Sequence, residues 1–411
     1  MAPVFTKITN HTIMAKLLET YHTFFGDVST LYRIFSPYRI CPIGAHVDHQ
    51  HGLVSGFAFN SGIDFLFSAT ESGKVEMCSL SFPGLMTFNV RNVNELPQHN
   101  WGDYLRGAVW AMQKDHSLKR GIRGVVRGSM PVGGLSSSAA LLVGCVKAIA
   151  KVNDIELEDL QVISYASQAE RGYIGLHNGI LDQACVTLCK ENQLLSLDTL
   201  DNSYRCLPFG GDPSNVPPFK LGIFFSGVTR QLIGTDYNLR VAECKTAAWM
   251  LQGYAGIPLK DLDETTLRDV PEEIFQKYRD RMPDRFARRA AHFYGENARV
   301  RRGAEVWLAG DVKAFGECMF ASCQSSESLY ECGSDELRAL DGILRRADGV
   351  YGGRFSGAGF KGAYIAIVDP AKTALVSRFV RKEYLALFPQ YKDSYQDFFC
   401  DTCDGARFVE V

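Results

Sequence analysis

The chain has 411 residues, 46% of them hydrophobic and 22% charged. These are ordinary globular proportions, which exclude disordered, collagen-like and fibrous classes, and at about 150 residues per domain they imply two or three domains. Lys and Arg number 44 against 46 Asp and Glu, a formal net charge of -2, so no global basic field exists to hold nucleic acid or an anionic membrane surface.

The N-terminus, Met1-Ala2-Pro3-Val4-Phe5-Thr6-Lys7, lacks the apolar core of a signal peptide, and the longest apolar stretch, 139–146, is too short to span a bilayer. A cytoplasmic location is expected. The 12 cysteines are scattered from Cys41 to Cys403 without framework spacing, so they are expected to be reduced and mostly buried. Cys400-Asp-Thr-Cys403 supplies only two of the four ligands a structural zinc needs.

In chain order, the first chemically dense segment is Pro37-Tyr38-Arg39-Ile40-Cys41-Pro42-Ile43-Gly44-Ala45-His46-Val47-Asp48-His49-Gln50-His51-Gly52. So polar a loop between apolar strands reads as a binding loop. Its histidines lack the helix spacing of catalytic zinc sites. Hydrogen bonding to a polyhydroxy ligand suits them better, because a carboxylate such as Asp48 accepts from two adjacent hydroxyls. Residues 63–70 and 121–128 read as strands and 137–152 as a helix. Between the last two lies Met130-Pro131-Val132-Gly133-Gly134-Leu135-Ser136-Ser137-Ser138-Ala139-Ala140. Two glycines for close backbone approach, three hydroxyls and a helix N-terminus make an anion cradle, most simply for nucleotide phosphates. The Walker pattern and the protein-kinase signatures are absent.

Next comes Glu170-Arg171-Gly172-Tyr173-Ile174-Gly175-Leu176-His177-Asn178-Gly179-Ile180-Leu181-Asp182-Gln183. Asp182 stands there among apolar and small residues, an expensive place for a carboxylate unless it is paired or working; a structural ion pair is the competing reading. The turn formers at 210–218 mark a domain boundary, giving domains 1–210 and 211–411, and 221–225 reads as a strand. Residues 271–309 read as helical, with interleaved Arg and acidic residues that suggest a solvated face. Last, Gly352-Gly353-Arg354-Phe355-Ser356-Gly357-Ala358-Gly359-Phe360-Lys361-Gly362 is a second glycine-rich loop, suited to packing against a ligand or the first loop and followed by a strand at 363–368.

In this order the four segments resemble the GHMP small-molecule kinases and, within them, the sugar-1-kinases related to galactokinase; 36–50, 178–183 and 354–362 look most like plant-type galacturonokinases. The resemblance spans residues 36–368. It implies an α/β (α+β) two-domain GHMP kinase fold with a ferredoxin-like C-terminal domain, the active site in the cleft, and ATP-dependent phosphorylation of the anomeric hydroxyl of D-galacturonate. By the same resemblance, Gly133, Gly134, Leu135, Ser136, Ser137, Ser138 and Ala139 form the ATP phosphate loop; Trp101 matches a position near the adenine, with an ordinary core tryptophan as the alternative. Ser138 and Glu170 are the Mg²⁺ ligands, Asp182 is the general base, and Arg39 keeps it ionised and steadies the phosphoryl group. His46, Asp48, Tyr237 and Gly357 line the sugar pocket.

Galactokinases read Gly-Glu-His-x-Asp-Tyr where this chain reads Gly44-Ala45-His46-Val47-Asp48-His49. That Glu, opposite a uronate carboxylate about 5 Å away at an effective dielectric near 20, would repel it by roughly 3 kcal/mol, about a hundredfold in affinity. Ala45 removes the penalty. Arg230 and Lys361 are the candidate cationic partners of the uronate. Two alternatives stay open: a kinase for another hexose or uronate, including a 6-deoxy sugar admitted by Ala45, and a non-catalytic sugar or nucleotide sensor.

Overall fold

The structure is a computed structural model that describes residues 10–93, 96–131, 133–176, 178–228, 236–359 and 362–411. Arg230 and Lys361 lie outside the described residues. The first half of the chain runs α1 (Asn10–Phe25), β1 (Tyr32–Ile40), β2 (Leu53–Thr70), β3 (Lys74–Ser79), β4 (Leu85–Asn89), α2 (Asp103–Met112), β5 (Gly121–Gly128), α3 (Ser137–Val152), α4 (Asp159–Gln168), α5 (Leu181–Leu188), β6 (Gln193–Asp198) and β7 (Tyr204–Pro208). The second runs β8 (Lys220–Phe225), α6 (Tyr237–Ala255), α7 (Glu272–Tyr278), α8 (Asp284–Leu308), α9 (Val312–Ser328), α10 (Asp335–Leu344), β9 (Val350–Phe355), β10 (Ala363–Val368), α11 (Thr373–Leu387), β11 (Gln396–Cys400), β12 (Thr402–Cys403) and β13 (Arg407–Val409).

The main path of the large sheet is β13-β1-β2-β5-β3-β4, with β12 and the β6–β7 hairpin joined to β2. Along β2 the side chains alternate between faces, as a pleated strand requires. Phe65 and Phe67 enter the core built with α2 and α3, while Leu66 faces α1 with Ile13, Leu17 and Tyr21. Helix α3 is buried along most of its length. At Gly144 it approaches so closely that a Cβ would lie 2.2 Å from the Phe65 ring. The second sheet, β11-β8-β10-β9, is antiparallel throughout. Phe224, Tyr364 and Ala366 face α10 and α11. Leu221, Ile223, Ile365 and Ile367 join the core shared with the first sheet.

The strands expected at 121–128 and 363–368 and the helix at 137–152 are present as β5, β10 and α3. Three expectations need correction. Residues 402–409 return to the first sheet, β12 on β2 and β13 on β1, so the boundary at 210/211 does not assign all the later chain to the second half. Arg39 belongs to a strand rather than a loop, just beyond a register shift at Pro37/Tyr38. The Arg-rich stretch is not a solvated face throughout. Arg289 and Glu296 are fully buried, Arg289 bonded to Glu243 at 2.7 Å and to Glu331. No described helix is long and apolar enough to cross a membrane.

Candidate active site

The first glycine-rich segment is held between β1 and the second glycine loop. Arg39 N–H donates to Leu135 O at 3.3 Å. The Arg39 guanidinium, buried at the end of β1, donates to Gly134 O at 3.2 Å and from Nε to Asp182 Oδ1 at 2.7 Å. Burial acts to lower the Arg39 pKa, but the Asp182 charge and hydrogen bond outweigh it and raise the pKa overall. Asp182 lies in the first turn of α5, where the helix N-terminus favours a carboxylate. Its other oxygen accepts from the Ser136 hydroxyl. Ser136 has φ 55, a left-handed conformation uncommon for a residue with a Cβ, and this turns its hydroxyl toward Asp182 at the start of α3.

Ser356 Oγ donates to Gly134 O at 2.6 Å. Gly357, at φ 70, packs backbone to backbone on Gly134, where a Cβ would come within 2.9 Å of Gly134 Cα. Gly133 similarly faces Gly362, which a Cβ would approach to 3.3 Å. The second glycine loop therefore closes on the first. Ser137 and Ser138 open α3, and Ala139 is buried beneath them.

Glu170 sits on a π-helical turn, Ala169–Ile174, between α4 and α5, a distortion frequent at functional sites. It is almost fully buried, and Oε2 accepts from Asn178 Nδ2 at 2.9 Å and from Gln183 Nε2. Burial raises its pKa, and a hydrogen bond from the Ser138 hydroxyl is among the effects that oppose this. Among the described residues no Lys or Arg forms an ion pair with it. A buried carboxylate beside a hydroxyl at a helix start, with neutral hydrogen-bond partners, has the donor chemistry that would suit a hard divalent cation.

The polar loop after β1 occupies the other side of Asp182. Asp48 Oδ1 accepts from His49 N–H at 3.0 Å and Oδ2 from Leu181 N–H at 3.4 Å. It lies against Gly179, where a Cβ would fall 2.1 Å from Oδ2. Burial and then the nearby Asp182 charge push its pKa up to about 6. The Tyr237 ring meets His49 edge-on at 6.3 Å, and its phenol pKa is raised by burial and by Asp48, Asp182 and Glu170. Ala45 is buried, and its carbonyl accepts from His292 Nε2 at 3.1 Å.

The hydrogen-bond partners fix the histidine tautomers. His46 Nε2 donates to Gly357 O at 3.0 Å while its ring stacks on Tyr330 at 4.5 Å. Leu267 N–H donates to Gln50 Oε1, so Gln50 Nε2 donates to His49 Nδ1 and His49 Nε2 donates to the Tyr330 oxygen at 3.1 Å. Burial lowers all three pKa values, His49 to about 3, His292 to about 4 and His46 well below the usual value, so the rings are neutral.

Arg39, Ser136, Gly134, Asp182, Asp48, His46 and Gly357 are thus brought into one connected site. Trp101 packs half-buried against the first core before α2, and no hydrogen bond or ring contact among the described residues joins it to that group. Sequence reasoning missed Ser356, Tyr330 and His292. Ser356 was visible within the second glycine loop; Tyr330 and His292 carry no local pattern and are recruited only by packing.

The GHMP kinases N terminal domain family matches residues 103–190 and the GHMP kinases C terminal family residues 304–386. The chain is 37% identical over 403 residues to the galacturonokinase of Arabidopsis thaliana, covering 92% of this chain and 93% of the relative. It is 28% identical to the galactokinase of Pyrococcus furiosus, covering 86% and 93%. The crystal structure of Lactococcus lactis galactokinase complexed with galactose superposes with a TM-score of 0.88 at 25% identity, covering 97% of this chain and 100% of that one. With both halves matched and the two glycine loops closed over the Arg39–Asp182 pair, the chain belongs to the GHMP kinases and is a sugar kinase of the group that includes galacturonokinase and galactokinase.

Proposed function

We propose that the protein transfers the γ-phosphoryl group of ATP to the anomeric C1 hydroxyl of D-galacturonate, giving galacturonate 1-phosphate and ADP. The observation that carries this reading is the Arg39–Asp182 pair set between a glycine-rich anion cradle and a sugar-side loop with Ala at position 45. The 37% identity to a galacturonokinase supports the choice of sugar.

In this mechanism Asp182 takes the C1 hydroxyl proton as the hydroxyl oxygen attacks the γ-phosphorus. Arg39 keeps Asp182 oriented and neutralises charge on the transferring group. Phosphoryl transfer through a loose transition state needs such positioning and charge balance rather than covalent help. The phosphates lie along Gly133 to Ser138 at the N-terminus of α3. Ser138 and Glu170 would hold Mg²⁺, which supplies charge neutralisation to the phosphates when bound. Asp48 and Tyr237 accept and donate hydrogen bonds to the sugar hydroxyls, with His46 as a fixed neutral wall. Arg230 and Lys361 are the candidate cations for the uronate carboxylate.

The test is ADP release by purified protein across galacturonate, glucuronate, galactose and N-acetylgalactosamine. Galacturonate should give the highest kcat/KM; a preference for galactose refutes the charge argument at position 45.

A further inference from the structure

Helix α8 runs along the sugar-side loop and fixes its backbone at both ends. Near its C-terminal end Gly303 lies against Ile43, where a Cβ would be 2.5 Å from Ile43 Cδ1. Four residues before Val300, which faces Gly44, Glu296 Oε1 accepts from Gly44 N–H at 2.7 Å. One turn earlier His292 Nε2 donates to Ala45 O at 3.1 Å. Asn297 Oδ1 accepts from Leu53 N–H at 2.7 Å, where β2 begins. Gly44 itself has φ 103, and a Cβ there would fall 2.6 Å from Val54 Cα, so this turn has no room for a side chain.

Glu296 is fully buried. Its Oε2 accepts from Arg299 Nε at 2.7 Å, and Oε1 also accepts from the Ser322 hydroxyl. Ser322 accepts in turn from Arg354, whose guanidinium lies 3.7 Å from Glu296 Oε1. Arg354 is on β9, which leads into Ser356 and Gly357, the residues that hold Gly134 O and His46. A carboxylate present only to balance charge would be satisfied by its arginines. This one also directs an oxygen at a backbone N–H of the loop.

We propose that Glu296 is a positioning residue for the sugar pocket: with His292 it holds the Gly44–Ala45 backbone in place, and through Arg354 it ties that loop to the glycine loop over the phosphate site. The inference rests on reading 44–48 as the sugar loop, not on which hexose is used.

Glu296→Asp keeps a negative charge in the core but shortens its reach, so that Oε1 is withdrawn from Gly44 N–H and from Ser322. It should raise KM for the sugar by on the order of tenfold, with kcat and KM for ATP within about twofold of wild type. Trp307→Phe, a core change in the same helix among Phe209 and Phe219, serves as the stability control and should leave all three constants unchanged. In a second pair, His292→Leu should raise the sugar KM and His292→Gln, whose amide nitrogen can reach Ala45 O, should restore it; this pair decides the matter if Glu296→Asp does not fold.

The wild-type substrate panel tests the reading of the loop separately, and each variant is compared with wild type on whichever sugar is turned over. A sugar KM within twofold of wild type in both Glu296→Asp and His292→Leu would overturn the proposal. So would a rise that moves in step with KM for ATP and recurs in Trp307→Phe.

Discussion

Asp182→Asn separates the chemical from the structural work of the central ion pair. Arg39 Nε and Asp182 Oδ1 are 2.7 Å apart, with the arginine side chain 4% and the aspartate 22% exposed. At an effective dielectric of about 20 the gross attraction at that distance is about 6 kcal/mol, most of it offset by desolvation. Removing one partner of a buried pair costs about 3–5 kcal/mol. The amide oxygen still accepts from Arg39 Nε, so the loss should fall near or below the lower end, about 2–3 kcal/mol, and Tm should drop by several degrees.

The chemical loss is larger. An amide cannot take the C1 proton, and general-base catalysis is worth roughly 10²–10⁴ in rate. Steady-state ADP release gives kcat, calorimetric titration with ATP gives the nucleotide affinity, and a thermal melt gives stability. The expected pattern is a fall in kcat of at least about a hundredfold with ATP binding retained. A folded Asp182→Asn variant whose kcat stays within about tenfold of wild type would remove Asp182 from the proton transfer.

Two further predictions concern the sugar side. Ala45→Glu should lower kcat/KM for galacturonate by about a hundredfold while sparing galactose, from the roughly 3 kcal/mol repulsion between two carboxylates; equal losses on both sugars in the kinetic panel would show a steric effect instead. Asp48, with its pKa raised to about 6, is a charged acceptor above that pH and neutral below it. KM for the sugar should therefore rise as pH falls through about 6, and Asp48→Asn should flatten the profile; a wild-type KM constant between pH 5 and 7.5 contradicts a sugar-binding role for the ionised carboxylate. The same raised pKa means that the folded state holds a proton the unfolded chain has lost, so Asp48 favours folding below about pH 4 and that contribution is lost as pH rises through about 6.

The local elements were legible in the sequence because their causes are local. Alternation, glycine punctuation and small residues at a helix start act over a few positions, and they located β5, α3 and β10. The two glycine-rich loops were readable for the same reason, since close backbone approach demands residues without a Cβ. The carboxylate of Asp182 was visible as an anomaly in an apolar run.

Its partner was not fixed by any such pattern. Arg39 lies 143 residues away, and His46 and Gly357 are separated by 311. The charge pattern of α8 likewise suggested solvent exposure, yet Glu296 is enclosed by α9 and the sugar-side loop, and Arg289 by Glu243 of α6 and by Leu329 and Glu331 just after α9. Sequence patterns record what each segment needs: a buried face, a tight turn, a counter-charge. Which distant segment supplies it depends on the path of the whole chain, so the tertiary fold alone decided that Asp182 meets Arg39, that the histidines stay neutral, and that an arginine-rich helix became the support of the sugar-side loop.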